Sequence, residues 1–232
     1  MNFKLVKKIV LTLIIINIIP NITLAHNVDV KVIGTITPSS CKITLTNGGI
    51  VDYGVISPTS LNKDTLTQLP DKQLDFAITC DAPTRVAIRA MNGRPNTAAG
   101  STEIGSYGTI APEGINRENG HYVVGLGLDG NKKIGGYSLS IKNLMVDGNS
   151  IEFIEKKDSE SFWIKKEDGN TSLFKKYPFL MSWTKNSSIN PMAFTVLSGT
   201  FNIQAYINQI SEFNLTKPIN LDGLTILELI YL

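Results

Sequence analysis

Apolar residues at alternate positions recur through most of this chain, and this pattern constrains its fold more than any other feature. The alternation is clearest at 74–80, 86–90, 137–141 and 201–207. Such a period over four to eight residues is typical of a strand with one buried face. No stretch keeps a 3.6-residue apolar period for three turns. The sequence therefore predicts an all-β chain whose helices are short.

Three copies of the tripeptide Asp-Gly-Asn stand between strand-like segments, at 129–131, 147–149 and 168–170. Asp-Gly favours a tight hairpin because both residues tolerate positive φ. None of the copies lies in a D-x-D-x-D-G run with a glutamate at the twelfth place, which a calcium loop would need. The sequence therefore predicts turns at these places.

One strand-like segment changes its alternation part-way. Phe194 and Val196 share one parity, whereas Phe201 and Ile203 have the other, and Ser-Gly at 198–199 lies between them. An extra residue in a β-bulge would return both pairs to the same face of a sheet. We predict a bulge or bend at 198–199.

The composition argues against an enzyme or a nucleic-acid binder. The 232-residue chain has two cysteines, two histidines and a formal net charge of +2. This leaves little material for a zinc cluster or histidine-based catalysis, and no basic excess for nucleic acid. A G-x-G-x-x-G match at 125–130 is not followed by the apolar helical face that a dinucleotide site requires, so a strand ending in a hairpin is the better interpretation. We expect no enzyme activity, no cofactor, no metal site and no nucleic-acid partner.

Residues 1–25 have the order of a secretory signal peptide. Three lysines precede an apolar stretch at 9–19, Pro20 follows it, and Thr23 and Ala25 place small residues before a cleavage point. A membrane anchor is the alternative, but a helix over 9–19 spans only about 16 Å of a hydrocarbon core about 30 Å thick. We expect cleavage after Ala25, which removes three lysines and changes the net charge from +2 to −1.

Export changes the interpretation of the cysteine pair. In an oxidising compartment an even pair is most simply a disulfide, and joining Cys41 to Cys80 closes a loop that the chain-entropy model values at about 4 kcal/mol. The alternative is a free catalytic thiol, which would need His121 as its base because His26 becomes the first residue after cleavage. The structural disulfide is the preferred interpretation.

The two ends of the exported chain hold the clearest functional signal. Near the N-terminus of the exported chain, alternate positions form one face: Val28, Val30, Val32, Gly34 and Ile36. The last residues predict a strand that is apolar on both faces, with Glu228 as the only charge. One face comprises Gly223, Thr225, Leu227, Leu229 and Tyr231, and the other comprises Leu224, Ile226, Ile230 and Leu232. Such a strand is either central in the protein's own sandwich or lies beside another molecule.

Several motifs, in this order, resemble the chaperone–usher pilins, the subunits of type 1 and P-pilus-like fimbriae. A G-x-I-x-x-x-x-C stretch occupies 34–41, and a tyrosine–glycine strand end follows at 52–55. An F-x-I-x-C strand at 76–80 brings the second cysteine, and Tyr231 is the penultimate residue. The resemblance spans residues 28–232, and the ending at 221–229 looks most like the beta-fimbrial branch of the family.

The resemblance implies an incomplete immunoglobulin-like sandwich, the pilin fold, at 37–232. In that family an apolar groove beside the C-terminal strand is filled first by a chaperone and then by the N-terminal extension of the next subunit. Here residues 26–36 would be the donor strand, and Thr225, Leu227, Leu229 and Tyr231 would line the acceptor. The Leu232 carboxylate would meet the chaperone's basic cleft.

The implied partners are a periplasmic pilus chaperone, an outer-membrane usher and neighbouring fimbrial subunits, and the implied destination is the fimbrium at the cell surface. The domain is longer than a usual pilin domain. We expect the excess in inserted loops near 92–119 and 155–188, the first of which has the composition of a long surface loop.

A structural fibre subunit that contributes to cell adhesion is therefore the leading function. The alternative is a fimbrial adhesin that binds a host glycan through the inserted loops, with four aromatic candidates for stacking on sugars: Trp163, Phe174, Tyr177 and Trp183. Core packing is the preferred role for both tryptophans. A periplasmic chaperone, which needs no donor-like N-terminus, and an exported hydrolase are less favoured.

Overall fold

The structure, a computed structural model, describes residues 29–35, 39–115, 121–165, 171–185 and 188–232. The chain divides into two compact units, Met1–Thr37 and Pro38–Leu232. Within the first unit, residues 29–35 form no helix or strand and all their side chains are exposed. The predicted signal peptide and two predicted donor residues, Val28 and Ile36, lie outside the described residues.

The second unit is built from strands, with short 3₁₀ helices at Thr46–Gly49, Pro58–Ser60 and Ile210–Glu212. In chain order the strands are β1 (Cys41–Leu45), β2 (Thr67–Gln68), β3 (Lys72–Thr84), β4 (Val86–Asn92), β5 (Thr109–Ile110), β6 (Tyr122–Gly125), β7 (Leu128–Asp129), β8 (Lys132–Lys133), β9 (Gly135–Val146), β10 (Asn149–Ser150), β11 (Glu152–Lys157), β12 (Ile164–Lys165), β13 (Phe179–Thr184), β14 (Phe194–Ile207) and β15 (Thr225–Tyr231). Among the described residues the structure contains no helix with the length and apolarity that a membrane span requires.

Two antiparallel sheets carry the fold. The first has the order β1-β3-β14-β9-β6-β5, with β2 paired to β14 and β10 paired to β9. The second has the order β12-β11-β13-β4-β15, and β7 and β8 form a separate hairpin. The prediction of an all-β chain is confirmed, and its arrangement is consistent with an immunoglobulin-like sandwich.

The core lies between the two sheets because the alternate apolar residues of their strands face each other. On β3 the buried positions are those that the sequence pattern selected: Leu74, Phe76, Ile78 and Cys80. Phe76 stacks on Phe201 of β14 with ring centroids 4.2 Å apart. Trp183 of β13 meets Phe194 of β14 edge-on at 5.3 Å, which joins the two sheets.

The predicted turns are confirmed where the structure describes them. The first Asp-Gly-Asn copy connects β7 to β8, and the second connects β9 to β10, with positive φ at Asp147 and Gly148. The third copy, at 168–170, lies outside the described residues. The predicted bulge is also present, because the pairing of β14 with β9 shifts register between Ser198 and Thr200. A second shift, against β3, lies between Phe194 and Val196.

The two regions expected to be inserted loops contribute buried residues to the sandwich, which the sequence did not suggest. Residues 92–115 are largely irregular, as expected, but they are not a surface loop in their described part. Ala99, Ala111 and Ile115 form a small buried cluster with Val123 and Tyr206. The expectation of a surface loop was wrong because small residues, which are common in loops, can also pack closely against a sheet.

Buried polar contacts hold this same segment down. The carboxylate of Glu103 accepts hydrogen bonds from Asn92 Nδ2 at 2.6 Å and from the backbone N–H of Ala98 at 2.9 Å. The second region, near 155–188, contains β13, every residue of which is buried. Because β13 lies between β11 and β4, this stretch supplies a central strand of the second sheet.

Candidate acceptor groove at an open edge of the sandwich

β1 and β15 are edge strands, one in each sheet, and they lie on the same side of the sandwich. Each has one neighbouring strand among the described residues. β1 ends the first sheet beside β3, and β15 ends the second beside β4. β3 and β4 follow each other in the chain, separated by Arg85 alone, so the polypeptide crosses from one sheet to the other there. Because β1 flanks β3 and β15 flanks β4, the two outer strands border one open edge. We call the space between them the acceptor groove.

The backbone of β15 is hydrogen-bonded on one side. At its two ends, Gly93 N donates to Leu224 O at 2.8 Å and Leu232 N donates to Arg85 O at 3.1 Å. These bonds fix the even-numbered residues as those whose backbone groups face β4, since alternate residues of a strand point their N–H and C=O in opposite directions. The backbone groups of the odd-numbered residues 225–231 therefore face away, where no described strand lies.

The backbone of β1 shows the same one-sided pairing. Asp81 N donates to Ser40 O at 3.0 Å, so the even-numbered residues of β1 face β3. Cys41, Ile43 and Leu45 then point their backbone groups outward. Cys41 N donates to the hydroxyl of Tyr231 at 2.7 Å, which agrees with this orientation and ties the two edges together at one end of the groove.

The side chains along the groove form an apolar row that is only half-buried. Leu227 and Leu229 of β15 pack against the core from one side, and Ile43 and Leu45 of β1 pack against it from the other. All four are less buried than the core residues of the neighbouring strands. A strand placed between β1 and β15 would cover this row and pair the free backbone groups on each side.

The two ends of the groove differ in chemistry. At the Tyr231 end, a shallow pocket of about 560 Å³ has polar residues in its lining: Ser39, Ser40, Thr84 and Arg85. Leu232, predicted to present its carboxylate to a chaperone, lines the same pocket and is half-exposed. At the other end, Thr225 Oγ1 and the hydroxyl of Tyr137 share a hydrogen bond of 2.6 Å. Burial raises the pKa of Tyr137 to about 12, so this phenol stays neutral across physiological pH.

The disulfide predicted from the sequence is present and joins Cys41 to Cys80. The two residues lie directly opposite each other in the pairing of β1 with β3. The bond therefore anchors one wall of the groove to the central part of the first sheet. Both cysteines of the chain are used, which excludes the alternative of a catalytic thiol.

The outer face of the second sheet carries a row of charges that reaches the groove. Arg89 of β4 pairs with Asp158 at 2.5 Å, and its other terminal nitrogen lies 3.7 Å from Glu228 of β15. Ile226, on the same outer face, is 45% exposed. Near the start of β15, Arg94 holds Asp222 by two hydrogen bonds of 2.7 Å, and this contact keeps the pKa of the Asp222 carboxyl below its usual range.

Two of the four aromatic residues considered for sugar stacking are buried, and the other two are half-buried. Trp183 is fully buried and Phe174 is 1% exposed, so neither can contact a ligand at the surface. Trp163 is half-buried with Lys156 Nζ 5.6 Å from its ring centroid, and Tyr177 has Lys157 Nζ at 5.3 Å. The described residues include no group of three or more acidic, histidine or cysteine side chains placed to hold a metal ion.

The structure brings the predicted acceptor residues together on one strand. Thr225, Leu227, Leu229 and Tyr231 share the inward face of β15, as the alternation predicted. The contribution of β1 was not predicted, although its sequence Cys-Lys-Ile-Thr-Leu shows the same alternation. Of the predicted donor residues, Val30, Val32 and Gly34 are described and exposed. Their role stays a prediction.

Comparisons with known proteins cover about half of the chain. The model of a family described as "Protein of unknown function (DUF1120)" matches residues 30–138. The chain is 32% identical to "Protein GltF" of Escherichia coli (strain K12) over 122 residues, which are 49% of this chain and 46% of that protein. It is 29% identical to "Uncharacterized protein YhcF" of the same strain over 132 residues, 54% of this chain and 51% of that protein.

The chain thus spans about half the length of the curated relatives that it matches. No solved structure matches it significantly. The matched family region begins in the exposed segment 29–35 and includes both cysteines, and it ends before β15.

Proposed function

We propose that this protein is an exported structural subunit of a chaperone–usher fimbria and that it polymerises by donor-strand exchange. The observation that carries the proposal is the groove between β1 and β15. One further strand there would pair with both strand edges and cover the half-buried apolar row. The resemblance of the sequence motifs to pilins supports the same function independently.

The groove has the features that strand addition needs. Apart from Cys41 N, which Tyr231 engages, the outward backbone N–H and C=O groups of β1 and β15 face no described strand and can supply the hydrogen bonds that give affinity. Alternate side-chain positions along the floor supply specificity. An exposed edge of this kind is a liability in water, because any extended chain can pair with it. A subunit with such an edge requires a partner from the moment it leaves the membrane, which is the role we assign to a periplasmic chaperone.

The segment 29–35 has the features of the strand to be added. Val30 is 86% exposed and Val32 is 95% exposed, and neither belongs to a helix or strand. Large β-branched side chains gain free energy from burial and favour the extended conformation. An usher would then bring this segment to the groove of the preceding subunit, and the fibre would stand on the cell surface and contribute to adhesion.

The test is to let the chain fill its own groove. Residues 27–36 are appended after Leu232 through a flexible linker, and thermal unfolding and sedimentation of the exported protein are measured. We expect a monomer with a clearly raised Tm that no longer polymerises. The matched control carries aspartate in place of both valines, Val30 and Val32, in the appended copy only, and it should gain no stability. An appended segment that adds no stability in either form would contradict the proposal.

A single substitution tests the donor end separately. In the unmodified chain, Val30→Asp should leave export and chaperone binding intact, since residues 29–35 supply no strand to the sandwich. It should block joining to the preceding subunit, because burying an unpaired carboxylate costs several kcal/mol. Lys31→Asp is the comparison variant: its side chain has the opposite parity and would stay in solvent, so it should weaken joining by a few-fold at most, where Val30→Asp blocks it. Normal polymerisation of Val30→Asp would sink the donor-strand mechanism.

A further inference from the structure

We infer that the groove accepts the 29–34 segment of a second copy of this chain, antiparallel to β15, with Lys31 opposite Glu228. This inference rests on the proposed function and adds to it the identity of the partner and the register of the added strand. It follows from the charges and apolar residues on the outer face of the second sheet.

The outer face of that sheet carries a row of alternating charge that ends at the open edge. Arg89 and Glu228 are direct cross-strand partners in the pairing of β4 with β15. Arg89 contacts Asp158 on one side and Glu228 on the other, so the row runs negative, positive, negative. Opposite charges on directly facing residues stabilise a sheet, and like charges destabilise it. The next strand should therefore place a cation beside Glu228.

The 29–34 segment has one cation, and it has the required parity. If Val30 and Val32 point into the groove, the side chains of Asp29, Lys31 and Ile33 point to the outer face. Glu228 also lies on that face, because Leu227 and Leu229 on either side of it point inward. Lys31 can thus stand directly opposite Glu228 while both valines are buried.

This pairing fixes every other contact of the added strand. With Lys31 opposite Glu228 in an antiparallel ladder, Val30 lies opposite Leu229 and Val32 opposite Leu227. On the outer face, Ile33 then lies opposite Ile226. Ile33 is 91% exposed and Ile226 is 45% exposed, so the pair would cover two apolar side chains that are otherwise in water.

The groove end beside Thr225 agrees with the same register. Gly34 would lie opposite Thr225, whose hydroxyl is already engaged by Tyr137. A residue without a side chain fits there without displacing that hydrogen bond. The glycine at position 34 of the donor thus coincides with the Thr225 end of the groove.

Neighbouring registers lose these matches. A slip of two residues in one direction places Asp29 opposite Glu228, and a slip in the other places Ile33 there. A slip of one residue turns Lys31 into the apolar floor. A parallel strand would keep the ion pair but would set Gly34 beside Tyr231 and Asp29 beside Ile226. Antiparallel pairing also matches β15 with β4, and it is the slightly more stable of the two per residue.

Pairs of introduced cysteines read the register directly. Two full-length chains are co-expressed for export, one with Ile33→Cys and the other with Ile226→Cys, both retaining Cys41 and Cys80. Ile33 and Ile226 would form a non-hydrogen-bonded pair, whose short Cα separation suits a disulfide. We expect a covalent dimer on a non-reducing gel. The matched control replaces Ile230, on the same outer face of β15, in place of Ile226, and should give little cross-linking.

The outcomes separate the register from the proposed function. Stronger cross-linking to position 230 would overturn the antiparallel register and leave strand exchange standing. Copies that assemble without cross-linking at either position would overturn the inference for this edge. Copies that never assemble would exclude a second copy as the partner, and the appended-strand experiment would then decide whether strand exchange itself fails.

A charge swap tests the ion pair that sets the register. In the cross-linking pair, Lys31→Glu in the first chain or Glu228→Lys in the second should each lower the yield, by roughly two- to fivefold for an exposed pair. Both changes together should recover the part of the yield lost at this pair, while the cost of placing a lysine at position 228, opposite Arg89, remains. Yields that are additive, with no recovery in the double swap, would overturn the assignment of Lys31 to Glu228.

Discussion

Strands β14 and β15 carry similar apolar alternation, yet they occupy opposite situations in the sandwich. β14 lies between β3 and β9, and its Phe201 is 2% exposed. β15 has β4 alone beside it among the described strands, and its Leu227 and Leu229 remain half-buried. The difference shows that burial depends on the number of neighbouring strands as well as on the side chain. β15 has the sequence of a central strand and the position of an edge strand, and it is here that our proposal adds a neighbour.

The largest loss of stability should come from a substitution in β14, the strand that has a neighbour on each side. Phe201→Ala removes a ring that stacks on Phe76 at 4.2 Å within the core. We expect it to lower the free energy of unfolding by about 3–5 kcal/mol, measured by urea unfolding of the chain that carries the appended 27–36 segment. A loss below about 1 kcal/mol would show that β14 is not the centre of the core.

The disulfide should follow in size. Cys41→Ser removes the bond that anchors β1, one wall of the groove, to β3. We expect a loss of about 2–5 kcal/mol and a sharp drop in the yield of folded, exported chain. Thiol labelling of the unmodified exported protein is the companion measurement. Two reactive thiols per chain would contradict the bond.

A smaller loss of stability is expected for a substitution in β15, and its size should depend on whether the chain carries the appended segment. Leu227→Ala should cost about 1 kcal/mol in the unmodified chain, where the side chain is half in water. It should cost more in the chain with the appended segment, because there the side chain is fully covered. Met145→Ala, at an exposed position of β9, is the matched control. Equal costs for Leu227→Ala in both backgrounds would mean that the segment does not cover β15.

The smallest effect concerns the ion pair at the start of β15. Arg94 holds the pKa of Asp222 below its usual range, so the folded state favours the ionised carboxylate. The stabilisation is therefore present above the ordinary aspartate pKa and is lost as the pH falls through the lowered value. Asp222→Asn should lower the Tm slightly at pH 7, and the difference should shrink steadily as the pH falls below about 4. A difference that persists in acid would exclude the ion pair as its cause.

Much of this fold could be predicted because alternation and turn chemistry are local. The strand around Phe76, the two described Asp-Gly turns and the bulge near Gly199 all follow from residues close in sequence. The packing of 92–115 could not be predicted in this way, since Ala99 is covered by Tyr206, which lies far along the chain and donates its hydroxyl to Ala99 O at 2.8 Å.

The same distinction between local and long-range features decides which parts of the candidate site could be predicted. The inward face of β15 is a property of alternation and was predicted. Whether β15 is central or at an edge depends on sheet order, which residues far apart in sequence determine. The wall formed by Ile43 and Leu45 was missed for this reason, because nothing local places β1 on the same side of the sandwich as β15.

Amide hydrogen exchange along β15 tests the central claim most directly, because alternate residues of the strand face β4 and the groove. It is measured on the chain with the appended 27–36 segment and on the control whose appended copy has aspartate at both valine positions. In the control, we expect the amides of Ile226 and Glu228 to be protected by β4 and those of Leu227 and Leu229 to exchange fast. With the intact appended segment, all four should be protected. If Leu227 and Leu229 exchange equally fast in both proteins, no strand enters the groove and the account is wrong.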